Sequence, residues 1–136
     1  MRLFFIVFSI LIFSANTKAS CPNINQIHQR TTDLSYSLGE LVETVSFNFP
    51  RRYNFYEFAV RSESDARFLE FSTQSGLIKC SMTNRIFTQL SLSFNILKNY
   101  ILRFQRRRPN LYLIYQAQWL DVTEKFNELS MEVNKN

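Results

Sequence analysis

Residues 87–133 read FTQLSLSFNILKNYILRFQRRRPNLYLIYQAQWLDVTEKFNELSMEV, and this stretch decides the fold. Phe87, Leu90, Phe94, Leu97, Ile101 and Phe104 recur at alternating steps of three and four residues, which places one apolar stripe along a helix. After Pro109 and Asn110 the same rhythm resumes in Tyr112, Tyr115, Trp119, Val122, Phe126, Leu129 and Val133. A connection this short between two long stripes predicts an antiparallel helix pair.

Upstream, Ile24, Ile27, Thr31, Leu34, Leu38, Leu41 and Val45 follow the same spacing, with Pro22 and Asn23 marking a start. Gly39 weakens this helix by about 1 kcal/mol relative to alanine.

Residues 46–76 read two ways. Val45, Phe47 and Phe49 alternate like a strand, Pro50, Arg51 and Arg52 offer a turn, and residues 53–60 are rich in β-formers. Conversely, Asn48 before Pro50 is a helix-start signal, Ser62 and Asp65 have capping-box spacing, and Gly76 is placed to end a helix. Apolar residues on helical spacing (Phe55, Ala59, Ala66, Leu69) are few. The reading favours a mainly α protein, a small bundle of about four helices. The alternative is α+β, with a small antiparallel sheet at residues 45–80 packed by three helices. With two glycines in 136 residues, an all-β sandwich is disfavoured, and 46% hydrophobic residues exclude a disordered chain.

The N-terminus reads differently from the rest. Arg2 precedes an apolar run at residues 3–13 broken only by Ser9, and Thr17 and Ala19 are small residues suited to signal peptidase. This is the pattern of a secretory signal peptide over residues 1–19, and the run is too short for a membrane-spanning helix. Residues 20–136 then form one domain, secreted or periplasmic. Losing Arg2 and Lys18 lowers the net charge from +5 to +3.

In an oxidising compartment Cys21 and Cys80 are expected to pair. The competing reading, a lipid-modified Cys21, fits poorly because Lys18 stands where such a signal has an apolar residue.

Little chemistry is on offer. His28 is the single histidine and reads as a packed or surface residue; no residue pattern calls for a metal or a cofactor. The acids Glu40 with Glu43, and Glu63 with Asp65 and Glu70, keep a small carboxylate-dependent hydrolase as an alternative, although solvated acids explain them as well. Charge placement is more informative. No acid lies between Glu70 and Asp121, whereas that interval holds Lys79, Arg85, Lys98, Arg103, Arg106, Arg107 and Arg108. Folding back at Pro109 brings Asp121 near Lys98 and Glu132 near Arg85, leaving the arginine triplet without a partner.

Two bland accounts compete for the triplet. Arginines at a helix C-terminus interact favourably with its dipole. Arg103 and Arg106 also fit a loose processing pattern, as does the dibasic Arg51 and Arg52. The functional account is an anion-binding tip formed by Lys98, Arg103, Arg106, Arg107 and Arg108, with Tyr100, Tyr112 and Tyr115 nearby. The class these features support is an exported interaction protein without enzymatic chemistry. Its partner would be a protein or an anionic surface (lipid headgroup or glycan), with nucleic acid disfavoured by compartment and modest charge. A further alternative is a self-assembling subunit of a secreted or envelope complex, a homo-oligomer whose aromatic stripes are incompletely buried in the monomer.

Overall fold

The computed structural model describes residues 21–48 and 54–136, and residues 1–19, read from the sequence as a signal peptide, and the Arg51, Arg52 pair lie outside them. Four helices account for 87% of the described residues: α1 (Ile24–Asn48), α2 (Phe55–Thr73), α3 (Cys80–Arg107) and α4 (Pro109–Val133). No strand occurs among the described residues, so the sheet alternative is overturned.

The reason lies in α2. Phe55, Ala59, Ser62, Ala66, Leu69 and Thr73 are buried at steps of four and three, a full helical stripe of which all but Phe55 and Leu69 are small or hydroxylated. Counting only apolar residues misses it. The strand-like alternation at residues 45–49 is also broken, because Val45 completes the buried stripe of α1 while Phe47 stands in solvent. Asn48 is the last residue of α1 rather than a helix start, and Ser62 and Asp65 lie inside α2 rather than at a cap. Gly76 does close the turn after α2, at φ +71°, where a side chain would be strained.

Each helix packs on two neighbours, in the ring order α1, α2, α3, α4 and back to α1; across the diagonals the backbones stay apart, although the Phe55 ring of α2 reaches Tyr115 of α4 at 4.7 Å. Every neighbouring pair is antiparallel. Between α1 and α2, His28 Nδ1 lies 3.0 Å from Thr73 Oγ1. Between α1 and α4, the Arg30 guanidinium donates to Glu128 at 2.9 Å and Ser37 Oγ to Asp121. Between α3 and α4, Phe87 and Phe94 stack on Phe126, and Phe94 on Trp119. At the other corner, the ring of Phe55 meets Tyr100, Phe104 and Tyr115 edge-on. The backbones of α3 and α4 approach closely over the shortest stretch of the four pairs, because stacked aromatic rings rather than small residues separate them.

All three apolar stripes read from the sequence are in the core, with Phe126 the one member only partly buried. The aromatic stripes on which the self-assembly alternative rests are thus buried within the monomer apart from Phe126. Gly39 sits inside α1, and a Cβ there would meet Glu63 Oε1 at 3.5 Å and Arg67 Nη2 at 3.8 Å, ordinary contact distances. Gly39→Ala is therefore expected to stabilise the bundle by up to about 1 kcal/mol. A rise in thermal midpoint of a few degrees checks this, and a fall would mean that the Glu63 and Arg67 side chains cannot give way.

The two cysteines are joined, with Cα atoms 4.8 Å apart. Cys21 precedes α1 and Cys80 opens α3, so the bond ties two diagonal helices whose backbones do not approach each other. With its sulfur engaged, Cys21 cannot carry a thioether-linked lipid, and that reading falls.

Candidate functional site at the arginine-rich end

The antiparallel ring gives the bundle two unlike ends. One carries the disulfide, residues 74–79 and the C-terminus. The other carries the α3 to α4 junction, together with Asn48 and Asn54, which flank Arg51 and Arg52 in the sequence.

The junction is a single residue. Arg108, at φ −138° and ψ 63°, is alone in leaving helical geometry between Arg107 and Pro109. Its N–H donates to Phe104 O at 2.8 Å, closing α3, and its carbonyl accepts from Leu111 and Tyr112 at 3.1 and 3.2 Å, opening α4. Pro109 then occupies a first-turn position where the missing N–H costs nothing. This sharp reversal brings the α3 arginines beside the N-terminus of α4, which has no side-chain cap and no acid in its first turn. The exposed amide end of a helix carries about half a positive charge, so it reinforces the arginine field.

Lys98, Arg103, Arg106, Arg107 and Arg108 are all exposed, and none forms an ion pair among the described residues. Contrary to the expectation from folding back at Pro109, the α4 acids do not pair with the α3 cations among the described residues. Glu128 bonds Arg30, Asp121 accepts from Ser37, and Glu132 takes Lys135 at 2.8 Å and Asn23 at 3.2 Å. These acids lie on the face of α4 turned to α1, whereas the aromatic stripe faces α3. Lys135 and Asn23 hold the Glu132 carboxyl below the usual carboxylate range. The basic series of α3 is thus left without acidic partners along its length, Lys98 and Arg85 included.

Three of the five predicted cations converge. Arg103, Arg107 and Arg108 line a pocket of about 310 Å³ whose other walls are Tyr100 and Phe104. Arg106 is exposed on the same turn but outside that lining, and Lys98 stands farther down α3. The rings of Tyr100 and Phe104 stack at 6.0 Å, and Phe58 meets Tyr100 edge-on at 5.4 Å, so the pocket floor is fixed by the core. Tyr115 beneath it is buried, and burial, with Tyr112 and Tyr100 adding to it, pushes its hydroxyl above the usual tyrosine range. Of the three tyrosines named from the sequence, Tyr100 reaches the pocket and Tyr112 and Tyr115 are core residues.

The dipole account of the arginines is incomplete. It covers Arg106 and Arg107 in the last turn of α3. It does not cover Arg103, a turn earlier, or Arg108, which abuts the positive end of α4. The processing account meets an obstacle too, since Arg103 and Arg106 lie within continuous helix.

A second pocket, at the opposite end of the bundle, is lined by Asn84, Phe87, Thr88, Ser91, Val133, Asn134 and Asn136. Neither pocket has a carboxylate in its lining, which leaves the acids named from the sequence dispersed: Glu40 and Glu43 are exposed, and Glu63 bonds Arg67 at 2.7 Å. His28 serves as a bridge to Thr73. Among the described residues no cluster of three metal-ligating side chains exists and no helix is long and apolar enough to cross a membrane.

The class defined by these features is a disulfide-stapled antiparallel four-helix bundle with one arginine-rich end. Compared with known protein families, curated proteins and solved structures, the chain matches none.

Proposed function

We propose that this is an exported binding protein that engages an anionic partner through the end of the bundle formed by Arg103, Arg106, Arg107 and Arg108, with Lys98 extending the field. The observation that carries the reading is the convergence of Arg103, Arg107 and Arg108 on one aromatic-floored pocket while no acid pairs with them. Guanidinium groups suit this task because each offers a planar fork of donors matched to phosphate, sulfate or carboxylate. The disulfide and the signal-like N-terminus support export.

Retention on immobilised heparin tests it. The protein is expected to bind at low salt and elute as ionic strength rises, since exposed charges are screened within about 10 Å at 0.1 M salt. Substituting Arg106, Arg107 and Arg108 by Ala should abolish most of the retention with helical content unchanged. Unaltered retention of that variant would refute the assignment of the site.

A further inference from the structure

We infer that the anionic partner is a phospholipid surface, on which the bundle docks by this end, tilted onto the outer side of α4; this rests on the anion-binding reading above and names its partner. The observation behind it is that the arginine-rich end also carries apolar side chains which the fold leaves in water. Phe47 is 82% exposed, the highest value among the described large apolar residues, and Leu113, Ile114 and Leu102 are 68%, 43% and 44% exposed.

Their placement follows from the helix registers. The bonds Arg30 to Glu128 and Ser37 to Asp121 fix α1 against α4, and extending that register puts Phe47 level with the first turn of α4. Ile114 is seven residues before Asp121, on the same side of α4, and so faces the end of α1. The aromatic pairs Phe94 with Trp119 and Phe104 with Tyr115 set α3 against α4 and place Leu102 opposite Leu113. The four side chains thus form a band across α1, α4 and α3 beside the arginines.

Leu113 lies four residues into α4, about 6 Å behind the Arg108 tip along the axis at 1.5 Å per residue, so the bundle must tilt onto the outer side of α4 for band and arginines to reach the surface together. In that pose the apolar side chains can sink the roughly 5–10 Å to which amphipathic surfaces enter the boundary of headgroups and acyl chains. The arginines would then lie at the level of the lipid phosphates, their stems on the apolar layer and their guanidinium groups in the polar one. The acids nearest this end, Glu43 and Glu57, are exposed and form no ion pair with the arginines among the described residues. A soluble sulfated glycan would use the arginines alone and gives no role to the apolar band.

The test is flotation of the full chain with vesicles of equal parts phosphatidylcholine and phosphatidylglycerol. Phosphatidylcholine vesicles serve as the reference, which subtracts any binding through residues 3–13. Charge-dependent binding is expected. Each arginine removed from Arg106, Arg107 and Arg108 should weaken it about fivefold, and all three about a hundredfold. The variant Leu113→Ser, Ile114→Ser should weaken it at least about tenfold while leaving heparin retention intact. Vesicle binding unaffected by the serine substitutions overturns this docking. Heparin retention without vesicle binding also overturns it, yet leaves the anion-binding reading standing; loss of both overturns both. A dimer dissolved by the same serine substitutions, with no vesicle binding, would assign the band to a second copy and overturn the proposal.

Discussion

Phe55→Ala is expected to destabilise the bundle by about 3–5 kcal/mol, the range for emptying a fully buried phenylalanine site. Phe55 is the first residue of α2 and has no exposed surface. Its ring centroid lies 5.6 Å from Tyr100, 5.9 Å from Phe104 and 4.7 Å from Tyr115, with all three contacts steeply inclined. Edge-to-face pairs add about 0.5–1.5 kcal/mol beyond burial, so truncation removes favourable geometry as well as volume. Collapse around the void is restricted, because Tyr100 and Phe104 are also stacked on each other. For a domain of this size each kcal/mol shifts the thermal midpoint by about 4 °C, so melting should move down by about 12–20 °C. A drop of only a few degrees would mean that α2 is not anchored at this corner. Because Tyr100 and Phe104 also wall the arginine pocket, the same variant should weaken anion binding more than Phe55→Leu does.

Loss of the disulfide is the second large effect. The bond closes a segment of 59 residues, which corresponds to about 4 kcal/mol in the chain-entropy account of cross-linking. Its position adds a structural reason. Packing around the ring holds neighbouring helices together, but across the diagonal from α1 to α3 the Cys21 to Cys80 bond is the direct tie. Close by, Cys21 N–H donates to Ile78 O at 3.4 Å, and Asn23 reaches the end of α4 by donating to Glu132 O at 2.7 Å. The variant Cys21→Ser, Cys80→Ser, or the native chain in reductant, should melt about 15 °C lower. The damage should concentrate at the start of α1 and leave the arginine end intact. Amide hydrogen exchange distinguishes the two ends: protection falls throughout with the global stability, and a further loss at residues 24–30 beyond that near Phe104 is expected, whereas uniform loss would contradict the local role.

Three of the four helices were legible in the sequence because their stripes consist of large apolar residues, which a spacing argument detects directly. Helix α2 was ambiguous for a physical reason. It packs with Ala59, Ser62, Ala66 and Thr73, residues whose burial depends on close approach of α1 and is not encoded in their own hydrophobicity. The hydroxyls of Ser62 and of Ser35 on α1 are buried with no hydrogen-bond partner among the described residues, a cost no sequence pattern announces. For the site, the sequence located the arginines through the absence of acids between Glu70 and Asp121, the interval that holds them. It misjudged their surroundings, because the side of α4 that faces α3 depends on which stripe enters the core, and Glu128 and Glu132 turn to Arg30 and Asn23 instead. The pocket walls were likewise only partly visible: Tyr100 was named, whereas Phe104 was read purely as core. The exposure of Phe47, Leu113 and Ile114 could not be read from spacing alone, since it requires knowing which helix faces meet.

The most direct measurement of the central claim is an NMR titration of the arginine Nε–Hε resonances with a heparin hexasaccharide. Shifts confined to Arg103, Arg106, Arg107 and Arg108, with Arg30, Arg67 and Arg85 unmoved, are the result expected of an anion-binding end on this bundle. Shifts spread evenly over all the arginines, or centred on Arg85 towards the disulfide end, would contradict it.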